Sequence, residues 1–347
     1  MTDETRENER EGNEKMLSIN PLTMTPIAKN AYPTRNDPED PRFGEVIIRH
    51  ENGEESDRQV DETTGVVLLG VPQDLGVCRN GGRAGAAGGP DAIRQRLYRL
   101  ATWDAEVGRS IEPGFIADLG DITCGEDLEE IHDRLTTVTG AIIGSGKVPV
   151  IIGGGHDITY GAFCGVFNEL GPLGAFNFDA HLDVRPATKG RNSGTSFRML
   201  IEEEKIDVTR FVEFGIQPFA NAAAHAAWFT EQGGTIRTLE TIRRIGLDES
   251  LAGTLAVTRE QNRPYYATLD LDAVRAAEAP GVSAPSPDGF SAAELLTVAR
   301  ALGSDPWCVA LDIAEMNPEY DQDAATARLA AAAIARFAIG VAARVAF

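Results

Sequence analysis

The sequence predicts an α/β protein with a mainly parallel central sheet and helices on both of its faces. Three observations carry this. Continuous apolar runs such as Gly65–Val71 and Val148–Ile152 suit strands that are covered on both sides. Segments of helical period separate such runs repeatedly from residue 65 onward. No linker and no repeat of fixed period interrupts the rest of the chain, so residues 61–347 are read as one domain.

Residues 1–60 are rich in Asp, Glu, Arg, Asn and Pro and show little apolar periodicity. They read as a mostly disordered or loosely draped extension, with Arg42–Arg49 as a candidate edge segment. The Gly65–Val71 strand leads into a glycine-rich loop, Asn80–Gly85. Pro90 at a first helical position, followed by Asp91, then announces a helix through Leu100. Next come a strand at Phe115–Asp118, an amphipathic helix at Asp127–Ile143 and the Val148–Ile152 strand. Ile158–Leu170 is helical, Gly174–Phe178 extended, Arg210–Gly215 extended and Phe219–Gln232 helical. Tyr265–Leu269 is a strand, and Ser291–Leu302 a helix whose cap Ser291 and Glu294 form a capping box. Trp307–Ile313 is a strand, and the alanine-rich run Gln322–Ala343 closes the chain as a helix.

Charge and composition narrow the function. With 53 acidic and 32 basic residues the formal charge is −21, which repels nucleic acid phosphates. All but five of the basic residues are arginine, and an acid-rich, lysine-poor surface suits a cytoplasm of high salt, where screening relieves self-repulsion. The four cysteines (78, 124, 164 and 308) lie far apart with no C-x-x-C pair, and read as reduced thiols. No apolar run reaches membrane-spanning length and the amino terminus is polar, so a soluble cytoplasmic protein is expected, with no membrane partner.

Chemistry gathers at the ends of three strands. Gly153-Gly154-Gly155-His156-Asp157 follows Val148–Ile152. Asp179, His181 and Asp183 follow Gly174–Phe178, and alternation puts all three on one side. Asp270 and Asp272 follow Tyr265–Leu269. In open α/β sheets such strand ends border the ligand crevice. Four carboxylates and two imidazoles exceed what one ion needs and suit two divalent cations bridged by carboxylates and a hydroxide. The rival reading of the glycines as a phosphate cradle lacks a G-x-x-x-x-G-K-[ST] sequence, and Gly146-Lys147 precedes a strand instead of opening a helix. A single-zinc amidohydrolase is disfavoured by the doubled ligand set.

GGGHD, NFDAHLD and TLDLD, in this order and spacing, resemble the ureohydrolase (arginase–agmatinase) superfamily over residues 66–345. Gly76–Gly85, Asp183–Pro186, Asn192–Phe197 and Ala279–Pro285 resemble the formimidoylglutamase branch of that group, the enzymes of histidine breakdown. The resemblance implies a three-layer α/β/α arginase-like fold and two Mn²⁺ ions per subunit. His156, Asp179, Asp183 and Asp270 would hold one ion. His181, Asp179, Asp270 and Asp272 would hold the other, with Asp179 and Asp270 shared. It further implies hydrolysis of N-formimidoyl-L-glutamate to glutamate and formamide, by attack of a metal-bridging hydroxide on the formimidoyl carbon. A homo-oligomer, trimer or hexamer, is implied as well.

Glu315 matches the group's glutamate that faces the amidine, and proton delivery to the leaving amine falls to Asp183, the bridging solvent or another group. Arg185, two residues beyond Asp183, offers a bidentate partner to a substrate with two carboxylates. Asn192, Ser193 and Thr195 would add hydrogen bonds, and Asn80 and Arg83 another wall. Asp157 reads as a supporting acid. Where arginases and agmatinases carry a proton-shuttling histidine, this chain has Phe197, which disfavours the urea-releasing alternatives. His50 and His132 read as surface residues, and His225 as a packed or exposed helix residue. A non-catalytic metal-binding relative is the remaining alternative.

Overall fold

The computed structural model describes Leu17, residues 23–28, Tyr32, residues 34–50 and residues 60–344. β1 (Met24–Thr25), α1 (Phe43–Val46) and β2 (Ile48–Arg49) precede β3 (Val66–Val71). The short α2 (Leu75–Arg79), α3 (Gly89–Leu97), a hairpin of β4 (Trp103–Asp104) and β5 (Arg109–Ser110), and β6 (Ile116–Ile122) follow. Next come α4 (Leu128–Gly144), β7 (Val148–Gly153), α5 (Ile158–Leu170) and β8 (Leu173–Phe178). The chain continues through α6 (Ser196–Glu202), β9 (Ile206–Ile216), α7 (Ala223–Glu231), β10 (Thr235–Thr238), α8 (Leu239–Ile245) and α9 (Leu247–Thr258). It ends with β11 (Tyr265–Asp270), α10 (Ala292–Ser304), β12 (Cys308–Ala314) and α11 (Ala325–Arg344).

The main sheet runs β1-β6-β3-β7-β12-β11-β8-β9-β10, with β2 also on β6, and every pairing except that of β1 is parallel. Alternation along each strand feeds two cores. Val66 and Leu68 pack with Leu97, Val298 and Phe337 of α3, α10 and α11. Val67, Leu69 and Val71 pack with Leu135 and Phe163 of α4 and α5. The result is a helix–sheet–helix sandwich. The strands carrying the chemical motifs, β7, β11 and β8, lie with β12 in the middle of the sheet, so their carboxyl ends share one crevice.

Several expectations are met closely. Asp127 caps α4 by accepting from the Glu129 and Glu130 amides, and Ser291 and Glu294 form the capping box of α10. The four cysteines are free thiols, with Cys164 and Cys308 buried.

Others are corrected. The described part of residues 1–60 is not draped: Tyr32, Phe43 and Ile47 join the core, and Ile48–Arg49 pairs with β6 within the expected edge segment. The remaining residues of that extension lie outside the described residues. The helix expected at Phe219 begins at Ala223, because Pro218 and Phe219 form a turn with Phe219 at φ 62°. Asn221 braces this turn, donating to the Ala180 carbonyl and accepting from the Leu182 amide. α11 is, contrary to expectation, long and apolar enough to cross a membrane, yet 67% of its most apolar window is buried, packed against α3 and α10.

Candidate metal centre and active site

The crevice rests on a row of polar side chains inside the sheet. Asp312, Thr268, Asn177 and Glu213 are register partners across β12, β11, β8 and β9, and each is at most 1% exposed. Asn177 donates to Glu213 Oε2 at 2.7 Å and to Asp179 Oδ2 at 3.2 Å. Thr268 donates to Asp312, which also accepts from Tyr266 at 2.7 Å and from Thr159 at 2.8 Å. Two residues beyond Asn177 and Thr268, just past the end of β8 and at the last position of β11, stand Asp179 and Asp270.

Both aspartates are oriented by the same local device. Asp179 Oδ1 accepts from the His181 amide at 2.7 Å, and Asp270 Oδ1 from the Asp272 amide at 2.8 Å. Their Oδ2 atoms are left facing His156, each 3.2 Å from its Nδ1, with Asp183 Oδ2 at 3.1 Å. His181 Nδ1 lies 3.2 Å from Asp272 Oδ2 and 3.5 Å from Asp179 Oδ1. All six residues expected to bind metal are thus brought together. Simple alternation does not explain Asp183, because β8 ends at Phe178. A turn delivers it, with Asp183 in the left-handed region at φ 46°. Glu315, beyond β12, has φ 69°. Such backbone costs about 1–3 kcal/mol per residue and concentrates at functional sites.

The glycine triplet works by close approach, not by positive φ. A Cβ on Gly154 would sit 1.6 Å from the Gln73 carbonyl oxygen. The exit it permits lets the His156 amide donate to Glu315 Oε1 at 2.7 Å, while the Glu315 amide donates to the Gly154 carbonyl. Asp157 accepts from Gln73 at 2.7 Å and pairs with His132 at 3.0 Å, anchoring the turn. His132 is therefore buried at 1% exposure, not a surface residue. His50 is half-buried at the end of β2, and His225 half-buried on α7.

The donors fit a pair of hard divalent cations. His156 Nε2 is hydrogen-bonded to Thr268, whose own proton goes to Asp312. An imidazole that gave up one proton to a metal would therefore keep the one on Nε2 and offer the Nδ1 lone pair. That Nδ1, like Asp272 Oδ1, is buried without a hydrogen bond. Two ligand sets, His156/Asp179/Asp270 and Asp179/His181/Asp272, each converge with all their donor atoms within 4.8 Å of one another and share Asp179. Protons report the same demand for positive charge. Burial alone would lower the His156 pKa, but Asp179, Asp183 and Asp270 raise it well above the usual imidazole value. Asp272 raises His181 strongly, and burial and neighbouring carboxylates raise Asp270.

A cavity of about 210 Å³ opens above the cluster. His181, Asp183, Asp270 and Asp272 form its floor, and Asn80, Arg185, Ser193, Ser283 and Glu315 its walls. Burial raises the Glu315 pKa to about 8, with the Ser283 hydroxyl holding it down. Arg185 is exposed and has no ion-pair partner among the described residues. Gly194 lets it lie flat: a Cβ there would come 2.8 Å from Arg185 Cδ. Asn80 donates to Ser193 at 3.0 Å, joining two walls.

Three expected contacts are not in the lining. Arg83 donates to the Val282 carbonyl and stacks on Tyr320, so it holds the loop bearing Ser283. Asn192 caps the Gly194 amide, and Thr195 is buried with its hydroxyl on the Asn192 backbone. Both shape the loop that presents Ser193. Phe197 is buried, edge-on to the His156 ring at 5.6 Å between centroids. Ser283, within the Ala279–Pro285 stretch, lines the cavity although its residue type and spacing alone give it no role.

Comparison with known proteins agrees with this geometry. The family model described as "Arginase family" matches residues 64–340. A formimidoylglutamase of Geobacillus thermodenitrificans is 38% identical over 269 residues, covering 76% of this chain and 81% of that protein. A Trypanosoma cruzi formiminoglutamase solved with two Mn²⁺ ions superposes with a TM-score of 0.80 at 32% identity, over 88% of this chain and 99% of that one. Bacillus subtilis formimidoylglutamase gives a TM-score of 0.81 at 27% identity, over 90% and 95% of the two chains. A catalytic-domain match of this extent, on a sheet whose central strand ends assemble the two ligand sets, establishes that the chain belongs to the arginase family.

Proposed function

We propose that this protein is a binuclear manganese hydrolase that cleaves N-formimidoyl-L-glutamate to L-glutamate and formamide. The observation that carries the reading is a single cavity floored by His181, Asp183, Asp270 and Asp272 and walled by Glu315 and by Arg185, which has no ion-pair partner among the described residues. His156, Asp179, Asp183 and Asp270 would hold one Mn²⁺, and His181, Asp179, Asp270 and Asp272 the other. Two such cations supply a nucleophile at neutral pH by lowering the pKa of the water they share.

The chain's own groups do the rest. Glu315 has one oxygen held by the His156 amide, and a cationic amidine beside it would favour the ionised carboxylate, whose other oxygen accepts from the amidine N–H groups. Arg185 receives a substrate carboxylate in a chain that otherwise repels anions, and Ser193 and Asn80 complete that wall. The C–N bond to the glutamate nitrogen breaks, and that nitrogen needs a proton. Phe197 cannot give one, whereas Asp183 lines the cavity at the edge of the ligand cluster, so Asp183 is assigned to carry it.

The acid-rich, lysine-poor composition supports work in a cytoplasm of high salt, and a homo-oligomer, trimer or hexamer, is proposed with the function. The direct experiment incubates the purified protein with Mn²⁺ at high salt and offers formimidoylglutamate, arginine, agmatine and guanidinobutyrate. Formamide and glutamate from the first alone are expected. Urea from any of the others would overturn the substrate assignment.

A further inference from the structure

Glu213 is a carboxyl group buried at 0% exposure that no step above uses. It stands on β9 opposite Asn177 of β8, and its register partner on the other side, Ile236 of β10, offers no polar side chain. Among the described residues its carboxyl has no ion-pair partner, and the hydrogen bond it receives comes from Asn177 Nδ2 to Oε2 at 2.7 Å. Glu213 Oε1 is buried without a partner, and so is Asn177 Oδ1. A carboxyl group so placed costs stability that an apolar side chain would not. The Asn177 amide supplies a reason for it. Its Nδ2 also donates to Asp179 Oδ2 at 3.2 Å, while the His181 amide holds Asp179 Oδ1 at 2.7 Å. Asp179 is common to both ligand sets, so the plane of its carboxylate decides where both cations can lie.

We propose that Glu213 is a positioning residue of the metal centre: paired face to face with the Asn177 amide, it turns the Asn177 N–H onto Asp179 Oδ2 and so fixes the shared ligand. The role rests on the functional reading above in one respect, that two cations share Asp179. An amide left to itself can rotate about its last bond and offer Asp179 either N–H or C=O, and a carbonyl there would face a carboxylate oxygen and repel it. The acceptor on β9 removes that choice. Glu213 Oε2 and Asp179 Oδ2 each demand an N–H, and Nδ2 is the end of the amide that has two. The task needs an acceptor at Oε2, not a negative charge. Glutamine would keep that acceptor and bring an N–H to the orphaned Asn177 Oδ1, whereas leucine would keep only the bulk.

The test is calorimetric titration of metal-free protein with Mn²⁺ for wild type, Glu213→Leu, Glu213→Gln, Asn177→Leu and the double leucine variant, with urea denaturation of each metal-free protein alongside. Glu213→Leu and Asn177→Leu should each weaken Mn²⁺ binding about 10- to 100-fold. Glu213→Gln should stay within about threefold of wild type, and the double variant should be no weaker than Asn177→Leu, because Glu213 acts through that amide. Wild-type affinity in Glu213→Leu, with only its stability altered, would overturn the proposal and leave Glu213 a structural role. So would a Glu213→Gln as weak as Glu213→Leu, or losses that multiply in the double variant. Should Glu213→Leu not fold, wild-type affinity in Asn177→Leu or a large loss in Glu213→Gln overturns it. A wild type that binds no Mn²⁺ would instead overturn the functional reading, and this inference with it.

Discussion

Thr268→Val tests whether the polar row beneath the crevice sets the metal affinity. The substitution keeps the shape of the side chain and deletes the one hydroxyl that links His156 to Asp312. Two effects follow from the structure. In the metal-free protein His156 Nε2–H, 2.8 Å from that hydroxyl, loses its partner at a site about 1% exposed. An unsatisfied buried donor costs about 1–3 kcal/mol. When the imidazole gives up a proton to make room for a cation, a ring without its Nε2 partner can keep the Nδ1 proton instead, which blocks the atom that faces Asp179, Asp183 and Asp270. Loss of such outer partners lowers metal affinity about 10- to 100-fold. Calorimetric titration of metal-free protein with Mn²⁺ reads the affinity, and urea denaturation without metal reads the stability. Thr268→Ser, which restores the hydroxyl, should recover both. Mn²⁺ affinity equal to wild type in Thr268→Val would refute the argument that this contact fixes the His156 tautomer.

Two further outcomes follow. Arg185→Ala should raise KM for formimidoylglutamate about 10- to 100-fold with little change in kcat, since in the proposed complex the guanidinium would contact a carboxylate far from the reacting carbon; a fall in kcat alone would contradict this. Mn²⁺ binding should strengthen as pH rises from 6 to 8 and release protons. The pKa values of His156, His181 and Asp270 are raised in the metal-free protein, so their protons are retained at low pH and must leave before cations enter. By the same sign, the stability that the protonated His181 gains from Asp272 is full below the unfolded imidazole value and disappears as pH rises through its elevated folded value. Titrations in two buffers of different ionisation enthalpy measure the proton count, and a pH-independent affinity would refute the account.

What sequence could show here depended on how local the cause was. His156, Asp179, Asp183, Asp270 and Asp272 were legible because each follows an apolar run that could only be a covered strand, and strand ends converge in this architecture. The position of Asp183 was right for an incomplete reason: alternation ends at Phe178, and a turn with positive φ completes the set. His132 was misjudged although its spacing, four residues after Leu128 and three before Leu135, sets it on the buried face of α4; what sequence hides is the partner, Asp157 from another element. β10, α8 and α9 were missed because a four-residue, half-buried strand leaves little periodicity, and the two helices meet at Gly246 without an intervening loop. Asn192, Thr195 and Arg83 carry the polarity of ligand contacts, yet their hydrogen bonds turn back on the loops.

The central claim is that two cations sit side by side on the six convergent donors. Anomalous diffraction at the manganese edge, on crystals grown with Mn²⁺, measures this directly. The account predicts two peaks about 3.5–4 Å apart, with Asp179 and Asp270 between them. A single peak, or peaks elsewhere with His156 and His181 unengaged, would contradict it.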